Sequence, residues 1–413
     1  MIVRFYRITT HSDRSRRHKR FKIFIQTDSQ RELGQEALVV ALALGNWYRS
    51  SHLDAMTHEY KWVKWNSKGI VVSAGRCASP TTYPLLLTST DCPKFQMNSS
   101  LAYTSIHNVR ATGASHVSIL VDIYQSSPNT THIYENNLTP NREQLKGLIR
   151  QIKSYGMKVS LRPQIEFGEK RMTSMSVSSL QSGRGVIGVN FTREEQWKEW
   201  FGNYTHIMRQ YASLCKRESV DLLVIGVGLS ATVKRGEWNT LIETLRDELG
   251  PSTNLTYAAV SGLESQVPWW DKLDYIGVDG GFDMPDSVAE RQAKWNYILY
   301  DRNDSLSKLH QQHDRQVLFT SLGYCSGNCP EGPEVNLTSQ AQRYVSAFEA
   351  TSDIPWLEGV FFSGWSADPT FGGLENYCTT PQWKPAEDVI GKWFGGARDT
   401  IDPDYASACP CVL

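Results

Sequence analysis

From Lys68 onward the chain alternates between two patterns. Short apolar runs at 69–75, 116–124, 157–163, 222–227, 255–260, 275–279, 316–322 and 359–362 have the length of buried strands. Between them lie longer stretches whose apolar positions recur at helical spacing. After Pro140, for example, Leu145, Leu148, Ile149 and Ile152 share one helix face. Similar stretches cover 99–112, 193–217, 236–249, 287–311, 339–350 and 384–390. The fifth run is followed only by a short segment, 267–273, from which one of Trp269 and Trp270 is expected to be packed and the other exposed.

Strand and helix alternating in this way predict an α/β fold, a single (β/α)8 TIM barrel over residues 66–397. Residues 1–65 read as an irregular N-terminal extension, and 398–413 as a Cys-containing tail. The apolar run 37–44 is too short to span a bilayer.

Composition adds compartment rather than chemistry. Lys+Arg and Asp+Glu number 43 each, so the net charge carries no footprint for nucleic acid. Eight Asn-x-Ser/Thr sequons, at Asn98, Asn129, Asn137, Asn190, Asn203, Asn254, Asn303 and Asn336, predict a glycoprotein of the secretory route. The eight cysteines, with close pairs Cys77/Cys92, Cys325/Cys329 and Cys409/Cys411, predict disulfides. For Cys325 a local disulfide or one to Cys378 fits better than zinc, because no histidines cluster there. No secretory signal opens at Met1, so residues 1–35 are expected to be a mis-joined start.

In a barrel of this kind, substrate meets the carboxyl ends of the strands and the loops that follow. Those positions hold Arg76, Asp122, Tyr124, Gln125, Gln164, Glu166, Asp279, Ser321, Tyr324, Trp365 and Asp368. Carboxylates, amides and aromatics on one rim suit a sugar, which offers hydroxyls to acceptors and a C–H face to a flat ring.

The strings DIYQ (122–125), GMKVSLRPQIEF (156–167), LTYAA (255–259), LDYIGVD (273–279), LGYCS (322–326) and GWSADP…GG…WKPAEDVI (364–390) resemble glycoside hydrolase family 113 over about residues 68–395. The resemblance implies a retaining β/α-barrel fold and activity on β-mannans. It also implies an acid/base Glu at the end of the fourth strand and a nucleophile Glu at the end of the seventh. This chain has Gly228 and Ser321 there, and neither can supply a carboxyl group to the pair of carboxyls such hydrolysis needs.

The expectation is therefore a pseudo-glycosidase that binds an oligo- or polysaccharide, with no cofactor, metal or catalytic residue. Trp365, Tyr324, Asp279, Glu166, Gln125 and Asp122 are the expected glycan contacts, with Trp365 as the stacking platform. The alternatives are an active hydrolase using relocated carboxylates such as Glu166 and Asp279, and a structural or protein-binding barrel with its mouth plugged by the 168–190 or 325–338 loop.

Overall fold

A computed structural model describes residues 63–74, 97–167, 183–327 and 335–396. The strands are β1 (Ser67–Ser73), β2 (His116–Gln125), β3 (Ile133–Tyr134), β4 (Lys158–Phe167), β5 (Leu222–Val227), β6 (Asn254–Val260), β7 (Tyr275–Gly280), β8 (Gln316–Leu322) and β9 (Leu357–Ser366). All but β3 are parallel. They run β1-β9-β8-β7-β6-β5-β4-β2, and a β1–β2 pairing closes the ring into an eight-stranded barrel. The short β3, which sequence did not anticipate, adds an antiparallel pair outside the ring through Tyr124↔Tyr134.

Apolar side chains fill the ring. Val71, Leu222, Leu318 and Phe361, from four different strands, meet in one buried cluster flanked by Leu120 and Tyr275. Gly69 makes room for it, because a Cβ there would lie 2.2 Å from the Phe361 ring. The helices cover the outside with the faces their spacing foretold. In α2 (Arg142–Ser154) Leu145, Leu148, Ile149 and Ile152 are fully buried, and Asn141 and Gln144 close a capping box at its start. The remaining helices are α1 (Ser100–Ala111), α3 (Glu194–Glu218), α4 (Glu237–Leu249), α5 (Val288–Asn296), α6 (Leu306–His313), α7 (Leu337–Thr351) and α8 (Pro385–Phe394). No helix among the described residues is long and apolar enough to cross a membrane.

Four expectations change. The single helix expected over 287–311 is two, separated by a π turn at Tyr297–Asp301. The third barrel strand runs past Pro163 to Phe167, because each of its ten residues keeps register with β2. Trp269 and Trp270 are both buried, their indole N–H groups bonded to the Val233 and Glu264 carbonyls at 2.8 and 2.9 Å. Packing also starts before residue 66. Trp65 stacks on Phe348 of α7 at 5.5 Å and donates to the Thr351 carbonyl at 2.8 Å.

Candidate functional site

The carboxyl ends of the strands bring two polar chains together. The first runs along β2 and β4, whose register sets Asp122 beside Gln164 and Tyr124 beside Glu166. The Gln164 amide nitrogen donates to Asp122 Oδ1 at 3.2 Å and to Glu166 Oε1 at 2.8 Å. Glu166 Oε1 also accepts from Arg184 Nη1 at 3.1 Å, in an ion pair that is almost wholly buried.

The second chain crosses the barrel interior. Arg162 on β4 reaches Asp279 Oδ1 on β7 at 2.9 Å and the Thr320 carbonyl on β8 at 3.0 Å. Both side chains of that ion pair are at least 95% buried. Such pairs are strong in Coulomb terms but costly to desolvate, and they fix geometry when both partners stay in place. Ser321 lies opposite Asp279 in the β7–β8 register.

Gly228 follows β5 immediately, with φ +65°. A Cβ built there would sit 3.5 Å from Val260 Cγ2 and 3.7 Å from Arg184 Nε. That Nε–H is buried and has no hydrogen-bond partner among the described residues. A guanidinium therefore stands beside the position at which a side chain of residue 228 would begin.

Not every residue expected at the rim faces it. Gln125 is fully buried, and its amide nitrogen donates to the Ser127 and Thr130 carbonyls at 2.8 and 2.6 Å. Its oxygen accepts from Trp200 Nε1 at 3.1 Å, so the side chain braces the β2–β3 loop against α3. Trp365 is 1% exposed and donates to Ser105 Oγ of α1 at 3.0 Å. Its indole fastens β9 to the first helix and offers no open face. Tyr324 is also buried, packed edge-on against Tyr344 at 5.3 Å. Burial pushes its phenol well above the usual tyrosine range, and its hydroxyl finds no partner among the described residues. Asp122, Glu166 and Asp279 are the expected contacts that do join the polar chains.

Arg184 lies in a Ser/Gly-rich stretch with no periodicity, so nothing in its local sequence marks it. Arg76 lies outside the described residues. No disulfide forms among the described residues, and Cys77, Cys92, Cys329, Cys409 and Cys411 fall outside them.

Behind this rim the loop after β9 folds into a knob. Gln382 is buried, with its side chain bonded to the Ser366 N–H and to the Ser366 and Asp368 carbonyls. Lys384 is fully buried, its ammonium donating to Ser326 Oγ at 3.0 Å, Asn376 Oδ1 at 3.1 Å and the Cys378 carbonyl at 2.9 Å. Charge-assisted bonds of this kind tie two loop segments, one at Ser326 and one at 376–378, to one cation.

Comparison with known proteins agrees with this architecture. An AaManA β-mannanase from Alicyclobacillus acidocaldarius, solved with ManMIm, is 20% identical with a TM-score of 0.64, over 80% of this chain and 97% of that one. A complex of a GH113 β-1,4-mannanase is 21% identical with a TM-score of 0.63, over 82% of this chain and 100% of that one. A β-glucuronidase from Faecalibacterium prausnitzii is 12% identical with a TM-score of 0.50, over 81% of this chain and 49% of that one. At these identities the likeness speaks to fold. No curated protein matches the sequence. The model of Glycoside Hydrolase Family 113, however, matches residues 90–372, more than half of the chain. A closed parallel barrel and that match together place the chain in Glycoside Hydrolase Family 113, to which it belongs.

Proposed function

We propose that this chain is a non-hydrolytic member of its family that holds a β-linked oligo- or polysaccharide at the carboxyl-terminal face of the barrel. The observation that carries the reading is the chemistry of two positions. Gly228, directly after β5, and Ser321, near the end of β8, stand where the family resemblance calls for the acid/base and nucleophile carboxyls. Retaining hydrolysis needs two carboxyls about 5–5.5 Å apart, and neither residue brings one. β-Mannan is the first glycan class to test, since the similar structures include β-1,4-mannanases.

The rival reading relocates the chemistry to Glu166 and Asp279. Against it stands their bonding. Glu166 Oε1 already accepts from both Gln164 and Arg184, and Asp279 is tied to Arg162 inside the barrel. A group that must give up and recover a proton at a substrate oxygen needs that oxygen within hydrogen-bond reach. Freeing either carboxylate would break a buried ion pair, at a cost of about 3–5 kcal/mol. Asp122, Glu166 and Asp279 serve in this proposal to shape the floor of the mouth.

The chain is also read as a secretory glycoprotein. Asn98, Asn129, Asn137, Asn190, Asn303 and Asn336 are exposed. The amide nitrogens of the half-buried Asn203 and Asn254 donate to the Thr131 carbonyl and the Tyr275 hydroxyl.

Calorimetric titration of the purified chain with β-1,4-mannan, β-glucan and chitin oligomers tests the main reading, with reducing-end release followed in the same samples. The expected result is saturable binding of at least one oligomer without new reducing ends. Absence of binding across all three classes overturns the glycan reading in favour of a structural or protein-binding barrel.

A further inference from the structure

Along Thr380–Glu387 every residue is buried except Trp383. Its flanks are the two clamps of the knob, Gln382 and Lys384, each held by several side-chain hydrogen bonds. Trp383 itself has φ +59°, in the left-handed region, where a bulky side chain is an outlier. Three non-glycine residues have positive φ among the described residues, and the other two, Ser219 and Asp314, end helices, where the left-handed state is common. Trp383 ends nothing and immediately precedes Lys384, the N-cap of α8.

The indole is also fixed in orientation. Its N–H donates to the Pro369 carbonyl at 2.7 Å, and its backbone N–H donates to Glu387 Oε2. The Pro369 side of the knob presents Phe371, half-buried, and Asp368, whose Oδ1 accepts from the Thr370 N–H and hydroxyl at 2.9 and 2.7 Å. Asp368 Oδ2 has no bond among the described residues. Gly372 and Gly373 let this loop lie on the Gln382 carbonyl, since a Cβ on Gly372 would come within 2.2 Å of it.

We propose that Trp383, and not the buried Trp365, is the stacking platform for a neutral β-linked pyranose, with the Asp368 carboxylate accepting from one of its hydroxyls. An indole tied through its N–H to the carbonyl of Pro369, the residue after Asp368, brings together the two groups such a sugar needs, a flat ring for its C–H face and a carboxylate for its hydroxyl edge. The left-handed backbone coincides with the one half-buried side chain of an otherwise buried segment, and strain of this kind persists where the surroundings over-determine it. The site lies beside the carboxyl end of β9, so the inference rests on the reading of this face as a glycan site.

The test compares wild type with Trp383→Asn and Trp383→Phe, using β-1,4-mannohexaose, cellohexaose and chitohexaose as probes, with Tm measured alongside. Asparagine tolerates the left-handed state and removes the ring, whereas phenylalanine keeps a smaller flat face. The expected outcome is binding weakened about tenfold or more in Trp383→Asn. Its Tm is expected to be unchanged or raised, and the loss in Trp383→Phe smaller. If wild type binds and Trp383→Asn binds equally well, the platform is overturned while the glycan reading stands. If Trp383→Asn loses binding and its Tm falls with it, the indole is a strut and the proposal is overturned. If wild type binds none of the probes, both readings fall.

Discussion

The ion pair inside the barrel gives the sharpest structural prediction. Arg162→Met keeps the aliphatic stem but withdraws the guanidinium from a buried carboxylate at 2.9 Å and from the Thr320 carbonyl at 3.0 Å. Removing one partner of a buried pair costs about 3–5 kcal/mol, because a charge is left in a medium that solvates it poorly. At about 2.1 cal/mol/K of unfolding entropy per residue, a barrel of about 330 residues converts that loss into a Tm lowered by about 4–7 °C. Replacing both partners, as Arg162→Met/Asp279→Leu, removes the charge as well as its counter-ion. The double variant is therefore expected to recover most of the loss, with a coupling of about 2–4 kcal/mol in the cycle. Urea denaturation of the four proteins measures it. A single variant costing less than about 1 kcal/mol, or a double variant equal to the sum of the singles, would refute the view that this pair locks the mouth's carboxylate in place.

Three further predictions follow from other parts of the molecule. Lys384→Met, which leaves three loop acceptors without their cation, is expected to lose about 2–4 kcal/mol in urea denaturation and to speed proteolysis of the 371–383 loop. His116 is held at about 4, first by burial and then by the charge of Lys158. The unfolded chain takes up a proton near pH 6.5 and the folded one only near 4, so stability is full above about 6.5 and falls as pH drops through that window, by at most about 3 kcal/mol. His116→Gln should flatten that stretch of the Tm-against-pH curve. Finally, Gly228→Glu/Ser321→Glu is expected to recover no cleavage of mannohexaose by itself. The first introduced side chain starts 3.7 Å from Arg184 Nε and pairs with it, so any recovered reducing-end release requires Arg184→Gln as well.

The barrel was legible because its information is local and periodic. The apolar runs at 222–227 and 316–322 coincide with β5 and β8, and the Leu145–Ile152 stripe is the buried face of α2. Boundaries failed where tertiary contacts override local pattern, as at Pro163, where pairing with β2 carries the strand onward. The site was legible at the level of position and not of partner. That Asp279 and Glu166 lie at strand ends followed from the pattern. That they answer to Arg162 across the barrel and to Arg184 from an aperiodic loop depends on contacts no spacing encodes. Tryptophan misled for the same reason. Trp365 lies at a strand end and is buried, whereas Trp383 lies in a run of buried residues and is itself only half-buried.

The central claim, a family 113 barrel without hydrolysis, is tested most directly by incubating the wild-type chain at high concentration with β-1,4-mannohexaose and following both binding and the release of reducing ends. Bound hexaose is expected to be recovered intact, with Glu166→Gln and Asp279→Asn no different in product. Cleavage by the wild type that disappears in either variant would contradict it.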